Sequence, residues 1–341
     1  MAQLFNDLAR HYAPQWIVEG DIKACFDEIA HDWLLEHTPM DKTRLKEFLK
    51  AGYVYDKQLF PTERGTPQGG VLSPILANHT LNGIDKLMKE SFVRERTGKG
   101  ETYKRVKPKV NLVRYADDFI VTARTREIAE KVKEQVRGHV RERGLQLSEE
   151  KTVITSIEEG FDFLGWNFRK YNGKLLIKPS KKSQKRVYEK IRAVIQGNIG
   201  TTQDDLIRIL NPIIMGWSTY HQGVVAKQIF SRLDDLIFRL LWKWARRRHP
   251  NKGRRWIKDR YWKTVGKNHW TFKDTLTLKR MADRKIVRHP PLKLDMNPYI
   301  DKDYFQKRHG RLLINRNLGM STQHPKPATG KCPADACLYE A

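Results

Sequence analysis

The step Tyr115-Ala116-Asp117-Asp118, set between the apolar runs Val110 to Val113 and Phe119 to Val121, constrains this chain more than any other stretch. Short β-branched and aromatic segments around a tight polar step predict a hairpin with two adjacent carboxylates at its tip. Successive strand side chains point to opposite faces, so one carboxylate is expected to face a cleft while its neighbour points away or reaches round it. Adjacent carboxylates repel, and a divalent cation is the natural neutraliser. Oxygen-only ligands favour magnesium or manganese over zinc. A lone Asp-Asp is usually just a solvated turn, because Asp bonds its own backbone there. Here its company changes the reading. The apolar segment Trp16-Ile17-Val18 leads into Asp21, and Gly65-Thr66-Pro67-Gln68-Gly69-Gly70 is a flexible loop between them and the hairpin. A strand-borne Asp, a Gly-rich loop and a hairpin Asp-Asp, in that order, are the parts of a two-metal phosphoryl-transfer site.

At these residues the chain resembles the reverse transcriptases, and within them the proteins encoded by group II introns. The resemblance is carried by the Tyr115 to Asp118 box, by Asp21-Ile22-Lys23-Ala24-Cys25-Phe26-Asp27, by the Gly65 to Gly70 loop and by Phe163-Leu164-Gly165-Trp166, and it covers roughly residues 16 to 275. It implies catalytic and metal-binding roles for Asp21, Asp117 and Asp118, with the backbone carbonyl of Ile22 as a further ligand, for two Mg2+ ions or Mn2+ in their place. Phe26 would be the ring beneath the sugar of the incoming nucleotide that excludes a 2′-hydroxyl, plain core being the other reading. Gln68 offers that nucleotide a donor and an acceptor, on a loop whose glycines allow close approach. Lys151, in the block Leu145 to Thr152, would lie near the catalytic carboxylates and the incoming phosphates, and the Leu164-Gly165 turn would seat the primer end. Asp27 reads as a turn or capping residue ahead of a helix around His31 to Leu35.

A chain of 341 residues can hold two or three domains. Its 65 Lys and Arg against 39 Asp and Glu give a formal charge of +26, with a pI near 9.9, which points to a polyanionic partner, nucleic acid first. A basic membrane-surface protein is the rival, but no apolar run approaches the about 20 residues that span a bilayer. Met1 to Arg10 carries Asp7 and lacks the continuous apolar stretch of a signal peptide. With three cysteines, Cys25, Cys332 and Cys337, no disulfide framework is implied, and a reducing, cytoplasmic setting is expected.

In chain order, residues 1 to 15 read as a short lead-in, where the family carries a longer basic region, so most of the fingers is expected to be missing. A short amphipathic helix over Asp41 to Ala51 and a strand pair through Tyr53 to Phe60 precede the glycine loop. Val71 to Phe92 reads as one long helix, Arg94 to Lys109 as a charged exposed insertion, and Thr125 caps a helix to about Arg143 that Gly144 ends. A strand pair through Phe161 to Trp166 and Leu175 to Ile177 is expected to close the palm. The fold class expected is α+β: a right-hand polymerase palm of antiparallel sheet plus helices, with partial fingers, over 1–178.

A helical thumb or maturase bundle is expected over 179–249, from apolar spacing in Ser183 to Ile195, Thr202 to Tyr220 and the helix carrying Ile229 to Trp244. Gly216-Trp217-Ser218-Thr219-Tyr220-His221 resembles the group II maturase thumb, and Lys181, Lys182, Lys185 and Arg186 are candidates for its phosphate-binding surface. Residues 250–280 form a basic segment with interleaved aromatics, where Arg254, Arg255, Trp256, Lys258, Tyr261 and Trp262 are candidate nucleic-acid contacts. The family resemblance makes this the DNA-contacting region. The family it resembles continues in longer members into a zinc-bearing HNH nuclease domain; Cys332 and Cys337 alone cannot complete a four-ligand site, so the tail, 281–341, is expected to hold at most a remnant of that region, with free thiols. The implied function is RNA-directed DNA polymerase and maturase, with group II intron RNA, a DNA target site and deoxynucleoside triphosphates as partners, no membrane, and homodimerisation open. The alternatives are a non-catalytic RNA-binding splicing factor and an inactive fragment lacking its fingers.

Overall fold

Ile17 and Val18 are consecutive and both buried, as are Ile120 and Val121, so the strands that carry them are covered on both faces. The computed structural model describes residues 2–9, 12–56, 58–60, 62–66, 70–92, 95–97, 104–106, 108–287, 296, 300–308 and 310. The chain begins with α1 (Ala2–Leu8), β1 (Trp16–Gly20), β2 (Ile22–Lys23), α2 (Cys25–Glu28), α3 (His31–His37), α4 (Lys42–Lys50), β3 (Tyr53–Tyr55) and β4 (Gln58–Phe60). Next come α5 (Ser73–Leu81), α6 (Ile84–Ser91), β5 (Glu95–Thr97), β6 (Lys104–Val106), β7 (Asn111–Tyr115), β8 (Asp118–Ala123), α7 (Arg126–Arg141), β9 (Gln146–Leu147) and β10 (Val153–Ser156). Two compact units result, Gln3–Phe161 with Arg169–Leu175, and Asp162–Phe168 with the chain from Leu176 on.

In the first unit a four-stranded sheet runs β10-β1-β8-β7, every neighbouring pair antiparallel. α7 has Ala129, Val132, Val136 and Val140 at helical spacing, and they share one buried cluster with Val18, Phe119 and Val121 of the sheet and Leu76, Ile84 and Met88 of α5 and α6. Thr125 caps α7 by accepting the Ile128 N–H, and Gly144, at φ +78, turns the chain where a Cβ would lie 2.9 Å from that of Ala30. The short helix expected after Asp41 is α4, capped by that residue, and β3 and β4 are the expected strand pair.

The structure corrects several expectations. Val71 to Phe92 is two helices, because Gly83 takes φ +96 and Asn82 leaves the helical region; Asn82 meets Arg114 instead. The lead-in contains α1, whose Leu4 and Leu8 are fully buried. Asp27 lies inside α2, and α3 starts from Ala30 with no side-chain cap. β5 and β6 pair as an antiparallel ladder within the expected insertion. Strands β11 (Phe161–Phe163), β12 (Trp166–Tyr171) and β13 (Lys174–Pro179) form a separate sheet in that order and do not join the four-stranded one. Their turns, Leu164-Gly165 (φ 48 and 81) and Asn172-Gly173 (φ 47 and 76), have positive φ at both central residues, the type I′ pattern that suits twisted hairpins.

In the second unit α8 (Lys181–Gly197), α9 (Gln203–Tyr220) and α10 (Lys227–Arg248) are the expected helices, capped by Ser180 and Thr202 in the first two cases. α11 (Arg254–Tyr261) and the hairpin β14 (Trp262–Val265) with β15 (Asn268–Phe272) follow. Here another correction falls: Tyr261 and Trp262 are 3% and 1% exposed, packed on Trp244, Phe238 and Phe272, so neither ring can stack on a base. A strap after the hairpin is clamped to the bundle. Asp204 accepts the Leu276 N–H, Asn211 the Lys279 N–H, and Asp234 the N–H groups of Met281 and Ala282.

Candidate active site

Register brings the three acids to one end of the first unit's sheet. Gly20 pairs with Phe119 and Tyr115 with Asp118, so Asp21 and Asp118 occupy the next step of the β1–β8 register. Alternation puts both on the face opposite Phe119 and its cluster. Gly20 has to be glycine: a Cβ there would lie 1.9 Å from Phe119 Cζ, inside a ring that is 1% exposed. Asp117 sits in the turn, half-buried, after Ala116, which holds φ +54. A left-handed alanine costs about 1–2 kcal/mol, so something must hold it. Arg114 does, donating from Nη1 to the Ala116 carbonyl at 3.0 Å and to Asn78 Oδ1 at 3.0 Å, and from Nη2 to Asn82 Oδ1 at 3.2 Å.

Asp21 is paired with Lys151, whose Nζ donates to Oδ2 at 3.0 Å. The Ser148 N–H donates to the Asp21 carbonyl at 2.9 Å, and a turn from Ser148 to Thr152 then carries Lys151 back to the acid. Antiparallel ladders alternate bonded and non-bonded pairs, so with the Asp21 carbonyl engaged, that of Ile22, opposite Leu147, is turned out of this ladder. The Lys151 ammonium is stabilised above its ordinary pKa by the Asp21 hydrogen bond first, then by the Asp21 charge, with Asp118 and Asp117 adding. The Cys25 thiol is pushed up to about 11, by burial first and then by Asp117, with Asp21 and Asp27 adding and Arg114 opposing. Asp21, Asp117 and Asp118 therefore share one electrostatic environment. Their oxygens suit a hard divalent cation, while among the described residues no three His, Cys, Asp or Glu side chains converge into a metal-holding cluster. An ammonium on Asp21 does part of the neutralising.

Phe26 is half-buried against the core cluster, and its carbonyl accepts the Thr66 N–H at 2.7 Å. Gly65, at φ +72, lies so close that a Cβ would be 2.3 Å from the Phe26 oxygen, and its own carbonyl meets His31 Nε2 at 2.7 Å. The start of the glycine loop is thus fastened beside Phe26; Gln68 lies outside the described residues, as do Cys332 and Cys337. In the second unit the Leu164 carbonyl accepts the Tyr220 hydroxyl at 2.8 Å and the Gly165 carbonyl accepts the Ser180 N–H at 2.9 Å. Trp166 stacks on Tyr220 with centroids 4.3 Å apart. Wholly buried beside them, His221 is held neutral by burial, its pKa lowered to about 4, with Ser183 Oγ at 3.3 Å from Nε2.

Lys181, Lys182, Lys185, Arg186, Arg254, Arg255 and Trp256 are exposed and Lys258 half-buried. Sequence reasoning missed Arg114, Asn78 and Asn82. The signal available was an arginine directly before the Tyr-Ala-Asp-Asp box in an otherwise apolar strand. It also gave no role to Cys25, which is a free thiol.

Two family models match the chain side by side: "Reverse transcriptase (RNA-dependent DNA polymerase)" over residues 2–168 and "Group II intron, maturase-specific domain" over residues 184–262. Over these two stretches the chain is similar to group II intron reverse transcriptases and maturases. Group II intron-encoded protein LtrA of Lactococcus lactis subsp. cremoris is 34% identical over 209 residues, 46% of this chain and 35% of that protein. Protein YkfC of Escherichia coli K12 is 30% identical over 230 residues, 59% of this chain and 58% of that protein. The chain thus spans about a third of the first relative and somewhat over half of the second. Among solved structures, a foamy viral protease-reverse transcriptase in complex with an RNA/DNA hybrid superposes with a TM-score of 0.36 at 17% identity, over 65% of this chain and 24% of that one. The antiparallel sheet with its helices, followed by a helical region, is the expected α+β arrangement. No helix among the described residues is long and apolar enough to cross a membrane.

Proposed function

We propose that this chain is the RNA-directed DNA polymerase and maturase of a group II intron, binding the intron RNA, assisting its splicing, and copying RNA into DNA from deoxynucleoside triphosphates, with a DNA target site as a further partner. The observation that carries the reading is the register that sets Asp21 opposite Asp118, next to Asp117, with Lys151 Nζ 3.0 Å from Asp21, at one end of the antiparallel sheet in the stretch matched as reverse transcriptase.

Asp21, Asp117, Asp118 and the Ile22 carbonyl would hold two magnesium ions, with manganese as a substitute. Bound there, divalent ions make a primer 3′-hydroxyl a better nucleophile and neutralise charge on the α-phosphate and the leaving pyrophosphate. The chain's own residues position. Arg114 fixes the hairpin that carries Asp117. Lys151, kept protonated by the acids, supplies positive charge to the phosphates of the incoming nucleotide. The Phe26 ring, on the segment bonded to Thr66, would lie under its sugar, and Gln68 would offer that nucleotide a donor and an acceptor. Because the Leu164 and Gly165 carbonyls are already engaged, this turn seats the primer end through its surface and shape. Lys181, Lys182, Lys185, Arg186, Arg254, Arg255 and Lys258 follow the phosphates, and Trp256 offers a ring.

The test is magnesium-dependent extension of a DNA primer on an RNA template, run beside retention of group II intron RNA over a salt series. Extension by the chain that is lost in Asp117→Ala, with RNA retention kept, is the expected result. Tight, salt-sensitive RNA retention with no extension by the unaltered chain would contradict the polymerase part.

A further inference from the structure

Far along the chain from the acids, the second unit contains a cavity of about 430 Å3 walled by α10, the β14–β15 hairpin and the strap that follows it. That volume is within the range of about 300–1,000 Å3 typical of ligand sites and well above a packing void. Its floor is apolar, with Phe238 and Leu241 from α10 meeting Trp262 and Phe272 of the hairpin. Trp270 stands over it 49% exposed, edge-on to Phe238 with centroids 5.9 Å apart and the planes at 81°. Trp270 also packs on Trp242, with centroids 6.1 Å apart, and about half of it remains exposed to solvent.

The polar lining sorts by charge. Both Asp234 oxygens accept strap N–H groups, at 3.0 and 2.9 Å, and Asp235 is paired with Arg239 Nη2 at 3.0 Å, so the cavity's acids are committed internally. Lys279 and Arg280 line the strap side and are exposed; Arg280 pairs with Asp234 Oδ2 through Nε alone, at 3.9 Å. Asn268 Oδ1 accepts the Trp270 N–H, which leaves its amide NH2 to meet a ligand edge. The occupant these walls suit is planar and aromatic on one side and anionic on the other.

We infer that this cavity takes one unstacked nucleobase of a single-stranded nucleic acid, with Trp270 as its stacking surface, Phe238 packing perpendicular to the base, and Lys279 and Arg280 on the adjoining phosphates. The site deepens the nucleic-acid reading above and depends on it. It also gives the basic aromatic segment a base contact that Tyr261 and Trp262 cannot make.

The experiment uses the full chain and a uridine oligomer carrying 4-thiouridine for cross-linking, beside an abasic oligomer of equal length. Cross-linking is expected on the Asn268–Phe272 strand. Trp270→Ala should weaken the oligomer about five- to a hundredfold, with the salt slope unchanged, since a stacked base and no phosphate contact is lost. Trp270→Phe should restore most of that loss, which separates stacking from misfolding. Lys279→Ala should lower the salt slope by about one phosphate contact. Equal affinity of the chain for the abasic and base-bearing oligomers, or a Trp270→Ala protein that binds like the parent, would overturn the base pocket while leaving the nucleic-acid reading standing. No binding of either oligomer at low salt would overturn both.

Discussion

Cys25 and His221 show how the site and the bundle each set one side chain's protonation. Burial and the Asp117 charge hold the Cys25 thiol at about 11, against 9.0 for a free thiol. Two pKa units reduce the thiolate about a hundredfold at pH 8. Iodoacetamide should therefore label the Cys25 peptide at least about a hundredfold more slowly in the folded chain than in urea, as read by mass spectrometry; equal rates would place Cys25 away from the acids and from the core. His221 runs in the other direction. Its folded pKa, about 4, lies below the ordinary 6.5, so the stability it confers is present above pH 6.5 and is lost as pH falls toward 4. At pH 5 that group alone should remove about 2 kcal/mol relative to pH 7, measured by urea unfolding. His221→Gln should flatten this dependence, and an unchanged slope in that variant would assign it to other groups.

The elements hold the acids through contacts that tolerate little change. Gly20 lies against the Phe119 ring one residue before Asp21, and Phe119 follows Asp118. Gly20→Ala should destabilise the chain by about 1–3 kcal/mol, the cost of overpacking a filled core. Phe119→Leu in the same chain should recover part of that in thermal unfolding, and additive losses would show that the ring is not the obstacle. Much of this framework was legible in the sequence. Alternation and the tight polar step gave the β7–β8 hairpin, Thr125 and Gly144 bounded α7, and apolar spacing gave α8, α9 and α10. What escaped depended on partners distant in sequence. The break at Asn82-Gly83 serves a contact between Asn82 and Arg114, 32 residues on, and the strap's backbone groups are satisfied by Asp204, Asn211 and Asp234 from two helices. Tyr261 and Trp262 misled because aromatics in a basic run look alike whether they stack on bases or fill a core. Their two neighbours outside the core, Trp256 and Trp270, are the exposed ones.

At the scale of the whole molecule, a formal charge of +26 makes the interaction with a polyanion mainly electrostatic. Neutralising six to ten phosphates implies a loss of about 10³–10⁵ in affinity between 50 and 200 mM salt on duplex nucleic acid, with a shallower slope on single strands. A filter-binding series with intron RNA should show that steep fall, and near-constant affinity over the same range would argue against phosphate contacts as the main term. Polymerisation adds a requirement that binding does not. On the function proposed above the carboxylates at the end of the four-stranded sheet act together, so removing charge from one should abolish chemistry while leaving the basic surfaces intact. Single-turnover incorporation of one deoxynucleotide onto a pre-bound RNA–DNA primer-template in magnesium measures this most directly, comparing the chain with Asp21→Asn and Asp117→Asn. The expected result is incorporation by the chain and a loss of at least about a thousandfold in either variant at unchanged primer-template affinity, which is about 4 kcal/mol of transition-state stabilisation. Incorporation that survives both substitutions, or that is absent from the unaltered chain while primer-template is bound, would contradict it.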